Sequence, residues 1–238
     1  MNSEFDSYAG NYEEVLKRGI SVSGEDASFF ARGRIAWLGR CLRARGVSVK
    51  RVLDFGCGVG NATPFLFDLL NVESVIGVDL SEESLEVARR SHRHLAVDYR
   101  LTRDYRPDGS VDLVYCNGVF HHISEPERPR AMQYVFECLR PGGLFALWEN
   151  NPWSPAARLV MSRIPFDRDA VMVWPNGARG LAKRAGLKPM STDFLFIFPR
   201  PLGFLRGLEP ALRKLPLGAQ YQVLSQKAGT DSKLTHTR

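Results

Sequence analysis

Residues 51–63, Arg-Val-Leu-Asp-Phe-Gly-Cys-Gly-Val-Gly-Asn-Ala-Thr, leave few folds open to this chain. Val52, Leu53 and Phe55 read as a short buried strand, an apolar run stopped by glycine. Gly56, Gly58 and Gly60 can take backbone angles closed to other residues and let a ligand lie against the main chain. Asn61 or Thr63 can cap the helix that follows, with Pro64 near its first turn and Phe65, Leu66, Leu69 and Leu70 as its buried stripe. A strand, a glycine turn and a helix start form a nucleotide-type site at the carboxyl end of a sheet.

The spacing narrows the ligand. A dinucleotide fingerprint requires a third glycine where Asn61 stands, and the chain has no phosphate loop of the G-x-x-x-x-G-K-[ST] kind. Asp54, just before the turn, would repel a pyrophosphate but suits an ammonium or sulfonium. The next strand, residues 74–79, ends in Asp79, an acid of the kind that accepts two hydrogen bonds from ribose hydroxyls. A glycine turn can also serve only to pack strand on helix; two acids in these places weigh against that.

Four motifs stand in a fixed order: residues 52–63, Val78-Asp79-Leu80-Ser81, Val111-Asp112-Leu113-Val114 and Leu139-Arg140-Pro141-Gly142-Gly143. As a set they resemble the class I S-adenosylmethionine-dependent methyltransferases, and most closely the small-molecule branch that includes quinone-biosynthesis methyltransferases. The resemblance is good over residues 50–150 and loose on the flanks. It implies an α/β, Rossmann-like fold with a seven-stranded, mostly parallel sheet, its last strand antiparallel, helices on both faces and a small irregular cap. It implies S-adenosyl-L-methionine as cofactor, with the backbone at Gly56, Cys57 and Gly58 along the methionine part. Asp79 would hold the ribose, Leu80 would lie beside the adenine, and the Asn117 backbone near the methionine amino group. Relatives carry a further acid near the adenine amino group; here Asp98 and Asp104 are both open for that role.

The length and hydrophobic content, 238 residues and 44%, suit one domain with a substantial core. We read residues 1–238 as a single methyltransferase domain: 1–50 an N-terminal helical cover, 51–150 the cofactor-binding core, 151–238 cap segments and the last two strands. Lys plus Arg exceed Asp plus Glu by 32 − 26 = 6, a mild basic excess that permits an acidic substrate, RNA or a membrane surface and demands none. Cys41, Cys57, Cys116 and Cys138 are scattered, which argues against disulfides and a cysteine zinc site; no metal is expected. The N-terminus lacks a basic start and apolar core, and no apolar run is long enough to span a bilayer, so a cytoplasmic protein is expected.

Along the chain, residues 5–20 have helical apolar spacing; the resemblance implies that this aromatic segment folds over the cofactor through Tyr8 or Tyr12, although plain packing is the commoner meaning. Residues 28–45 read as an amphipathic helix with Arg32, Arg40 and Arg43 opposite its apolar stripe. Ser81 caps a helix with Glu82 and Glu83 in its first turn. Strands are expected at 95–99, 111–116, 144–148, 187–198 and 221–226, with helices at 127–140, 156–163 and 176–184. Alternation of this size implies a parallel sheet with right-handed crossovers. Residues 201–215 form an insertion suited to a lid or an oligomer contact, and a homodimer is the assembly expected.

Methyl transfer is an in-line displacement, so the protein must chiefly hold a nucleophile at near-attack distance. A hydroxyl nucleophile gains from a base near neutral pKa, and His121-His122 lie just past the fourth strand. His122 is the preferred base and His121 the second choice, since relatives with such a pair mostly use the second. Residues 149–153 offer Glu149, Asn151 and Trp153 as polar anchors and an aromatic floor for an acceptor. The resulting reading is transfer of a methyl group to oxygen or carbon of a phenol, quinone, polyketide or sugar. The alternatives are an RNA methyltransferase, for which no separate RNA-binding module is visible, and a non-catalytic ligand-binding protein of the same fold. Residues 194–208 could also meet a membrane surface if the acceptor is lipidic.

Overall fold

The computed structural model describes residues 12–168 and 170–229. Tyr8 and the Tyr12 side chain lie outside what is described. The first half of the chain runs α1 (Tyr12–Ile20), α2 (Ala27–Arg43), β1 (Arg51–Phe55), α3 (Thr63–Leu70), β2 (Ser74–Asp79), α4 (Glu82–Ser91) and β3 (Val97–Leu101). It continues through β4 (Val111–Asn117), α5 (Arg128–Cys138), β5 (Leu139–Asn150), α6 (Pro155–Arg163), α7 (Pro175–Arg184), β6 (Leu187–Leu195), α8 (Glu209–Leu212) and β7 (Gln220–Lys227). The seven strands form one sheet in the order β3-β2-β1-β4-β5-β7-β6. Strands β3, β2, β1, β4 and β5 are parallel, and β7 runs antiparallel to both its neighbours.

Alternation along each strand divides the core between the two faces. Leu53, Val114, Cys116, Phe145 and Leu147 meet Met132 and Val135 of α5 and Ala178 and Leu181 of α7. Val52, Leu113, Tyr115, Ala146 and Trp148 point the other way and pack with Ile35, Leu38 and Leu42 of α2 and Leu66 of α3. The central strands are therefore buried on both sides, as a parallel sheet requires. Their carboxyl ends all open at one edge.

Several boundaries differ from the sequence reading, each for a local reason. Helix α2 starts at Ala27, because the Asp26 carboxylate accepts the Phe29 N–H at 2.7 Å and caps it. Neither Asn61 nor Thr63 caps α3: its flanking residue is Ala62, without a side-chain cap. The Thr63 hydroxyl is instead hydrogen-bonded to the Tyr99 hydroxyl at 2.7 Å. Strand β3 lies two residues later than expected, placed by the pairing of Val75 with Val97 and Asp79 with Leu101. Pro141-Gly142-Gly143 does not end α5 but lies within β5, whose start pairs Leu139 with Val111 across a register shift. Strand β6 stops at Leu195, just before Phe196 turns to a φ of 63°. The insertion folds as a 3₁₀ segment, Arg200–Leu208, running into α8. Glu209 anchors it by accepting the N–H groups of Phe196, Ile197 and Phe198 at 3.1–3.2 Å. Among the described residues no helix is long and apolar enough to cross a membrane.

Candidate active site

A cavity of about 1120 Å³ opens at the carboxyl ends of β1, β2 and β4. Its floor is Asp54, the backbone of Gly56, Cys57 and Gly58, then Asp79, Leu80, Asn117 and the histidine pair. Its far wall is apolar and comes from the cover: Phe29 and Phe30 of α2, Ile164 and Phe166, and Phe196 and Phe198 after β6. Phe30 and Phe196 meet edge-on with ring centroids 5.0 Å apart.

The glycine turn is held by the second strand. Gly56 and Cys57 donate their N–H groups to the Val78 carbonyl at 2.8 and 3.1 Å. Gly56 has φ +72°, and a Cβ there would sit 2.3 Å from Val119 Cγ2, so position 56 admits only glycine without displacement. Gly58 has φ +52° with no atom within 4 Å of where a Cβ would stand, so its bare backbone fronts open cavity. Gly60 lines no part of the cavity; it makes room for Tyr99 and His92 beneath the turn.

Asp79 is aligned by this turn: its Oδ2 accepts the Gly58 N–H at 2.8 Å and its Oδ1 the Ser81 N–H at 2.9 Å. Each carboxylate oxygen has a second acceptor direction, which suits a diol. Leu80 stands beside it, 69% exposed, as an apolar shelf on the rim. Asp54 is buried, and burial together with the Asp79 charge pushes its carboxyl up to about 7, against the opposing pull of Arg34. Such a carboxyl is relieved by a cation and not by an anion. Asp98 and Asp104, the two acids open for an adenine contact, do not line the cavity; Asp98 pairs with Arg100, and Thr102 and Arg103 hold the cavity edge instead.

The histidines lie against two buried acids, Glu149 and Asp167. His121 is buried, its Nδ1 2.5 Å from Glu149 Oε2, while Glu149 Oε1 accepts the Phe120 N–H at 2.9 Å. His121 Nε2 stands 3.5 Å from Asp167 Oδ1, and His122 Nε2 stands 3.2 Å from the same oxygen. Burial pulls the His121 pKa down, but the charges and hydrogen bonds of Glu149 and Asp167 outweigh it and raise it to about 10. Burial raises the Asp167 carboxyl, yet the two imidazoles bring it below the usual carboxylate value.

Of the residues expected to line an acceptor pocket, Glu149, Asn151 and Trp153 are all absent from the cavity wall. Glu149 is spent on His121 and Phe120. Asn151 is fully buried and ties the 216–218 loop by donating to the Pro216 and Gly218 carbonyls at 3.0 and 2.7 Å. Trp153 packs outward, 5.3 Å from the Trp174 ring. Asn150, one residue away on the other face of β5, does reach the cavity. Two residues escaped the sequence reading. Asp167 sits in an irregular stretch with no periodicity to mark it. Arg34, within the helix read at 28–45, is buried and faces the cavity, with Nε donating to the Tyr115 hydroxyl at 3.1 Å and one amino group to Gln220 at 3.0 Å.

Strand order, glycine turn and paired acids define the S-adenosylmethionine-dependent methyltransferase fold. Residues 52–143 match the family model described as a methyltransferase domain. The chain is 30% identical over 169 residues to a trans-aconitate 2-methyltransferase of Rhodopseudomonas palustris, a match covering 71% of this chain and 59% of that protein. It spans about half the length of the other proteins of that name that it matches, 50% of the one from Azoarcus sp.. Two solved structures show the same fold over nearly the whole chain. One is the methyltransferase in the complex with the Trm112 methyltransferase activator of Haloferax volcanii, with TM-score 0.65, 20% identity and 96% and 99% of the two chains covered. The other is an S-adenosylmethionine-dependent methyltransferase of Thermotoga maritima, with TM-score 0.63, 19% identity and 94% and 97% covered.

Proposed function

We propose that this protein is an S-adenosyl-L-methionine-dependent methyltransferase acting on a small-molecule acceptor, a phenol, quinol or polyketide. The observation that carries the reading is the pairing of a bare Gly58 backbone with two acids, one buried and awaiting a cation, one aligned for a diol. The residues fit the cofactor. Asp54 faces its positive charge, Asp79 accepts its ribose hydroxyls, and Leu80 covers its adenine. Gly56, Cys57, Gly58 and the Asn117 backbone border its methionine part, and Arg34 is the cation placed for its carboxylate. When bound, it supplies an electrophilic methyl on sulfonium.

The protein's own work is positioning and proton transfer. The aromatic wall of Phe29, Phe30, Phe166 and Phe196 favours a flat, apolar acceptor over a sugar. His121, enclosed between Glu149 and Asp167, is held protonated at neutral pH and has no lone pair to offer a substrate. His122 is the proton acceptor, its Nε2 3.2 Å from Asp167 Oδ1. Asp167 is its positioning residue. Turnover with a panel of phenols, quinols and β-diketones, read as S-adenosylhomocysteine formed, tests the reading. His122→Gln is expected to lower kcat by about 10²-fold or more with KM for the cofactor unchanged. An unchanged kcat would remove His122 as base, and no turnover with any of the panel would remove the acceptor class.

A further inference from the structure

His121, His122 and Asp167 bring two imidazole nitrogens and a carboxylate oxygen within 4.8 Å of one another at the cavity wall. The two carboxylate–imidazole separations, 3.5 and 3.2 Å, are close to the ligand–ligand edges of about 3.0–3.4 Å that bonds of about 2.1 Å give in octahedral or tetrahedral coordination. His121 Nε2 is fully buried, has no well-aligned hydrogen bond, its nearest partner being Asp167 Oδ1 at 3.5 Å, and is aimed into this corner. Its other nitrogen is held by Glu149, which is itself fixed by the Phe120 N–H. A carboxylate behind a histidine, setting its tautomer and aiming Nε2 outward, is the support that metal-binding histidines have. Two carboxylates on two imidazoles also need compensating positive charge. A proton supplies it in one state, and a cation can supply it in another.

We propose that His121, His122 and Asp167 form a site for a divalent transition ion, with its open positions facing the cavity. Two nitrogens and one oxygen suit Zn²⁺, Mn²⁺ or Fe²⁺ better than Mg²⁺ or Ca²⁺, which prefer all-oxygen shells. For what the ion does, the inference rests on the methyl-transfer reading. An acceptor hydroxyl bound at an open position loses its proton to solvent and is held as the oxyanion. The oxygen–methyl bond then forms as the sulfur–methyl bond breaks, leaving the thioether. In that state His122 is a ligand and not the proton acceptor, and the acceptor is one that binds through oxygen.

The test uses the full chain, stripped with chelator and dialysed. Co²⁺ is titrated by its visible d–d absorption and Zn²⁺ by calorimetry, and S-adenosylmethionine is titrated into the same samples. One ion per chain is expected. Asp167→Asn and His122→Gln, the second at a partly exposed position, are each expected to weaken it tenfold or more with cofactor binding retained. Absence of stoichiometric binding by the intact protein, or equal binding by both variants, overturns the site. Ion binding without cofactor binding leaves the site standing and removes the methyl-transfer reading.

Discussion

Asp54 is a buried carboxyl whose ionised form is opposed by its surroundings. Its carboxyl is moved from an ordinary 3.8 to about 7 by burial first and Asp79 second, with Arg34 opposing. A raised carboxyl pKa means that ionised Asp54 opposes folding, so its contribution to stability falls as pH rises from about 4 to about 7. A bound cation reverses this by favouring the carboxylate. Affinity for S-adenosylmethionine is therefore expected to rise by about an order of magnitude from pH 6 to pH 8, and Asp54→Asn should flatten that profile while weakening binding. Calorimetry across this range checks it; a flat profile in the intact protein contradicts it. The neighbouring Cys57 and Cys116 thiols are raised well above their ordinary value and stay protonated throughout. Asp54 and Asp79 were legible because each ends a strand beside a glycine or a turn. The His121–Glu149 contact was not, since it joins β5 to a loop 28 residues away.

At the scale of elements, the strand–turn–helix unit around Gly56 is where local geometry and function coincide. Gly56→Ala combines a strained positive φ with the clash against Val119 and is expected to cost about 1–3 kcal/mol, measured by denaturant unfolding. Gly58→Ala has the same backbone strain but empty space around its Cβ, so it should be the milder change in stability and the sharper one in cofactor affinity. Equal effects of the two on binding would contradict the placement of the ligand against Gly58. The core strands were readable because a parallel sheet buries both faces and leaves near-continuous apolar runs. The cover was harder. Residues 196–217 are placed by Glu209 and Asn151, side chains that reach across the fold to backbone groups, and no periodic pattern announces such contacts.

The whole molecule is a sheet with a wet edge and a borrowed roof. Segments far apart in sequence meet over the cavity: Arg206 donates to Glu25 at 2.8 Å and lies 4.5 Å from the centre of the Phe29 ring. This engagement withdraws Arg206 from a bilayer contact of the 194–208 stretch, and Phe194 is buried in the core, although Phe204 stays 80% exposed. The antiparallel β7 lets β6 and the cover segment after it return to the cavity side, which is why the last quarter of the chain contributes Phe196 and Phe198 to the wall. This edge is expected to hold S-adenosylmethionine between Asp54 and Asp79. The most direct measurement is isothermal titration of that compound into the full chain and into Asp79→Ala. One site per chain is expected in the intact protein and loss of binding in the variant, with the variant's folded circular dichroism spectrum retained. No heat of binding from the intact protein, or undiminished affinity after removal of the Asp79 carboxylate, would contradict it.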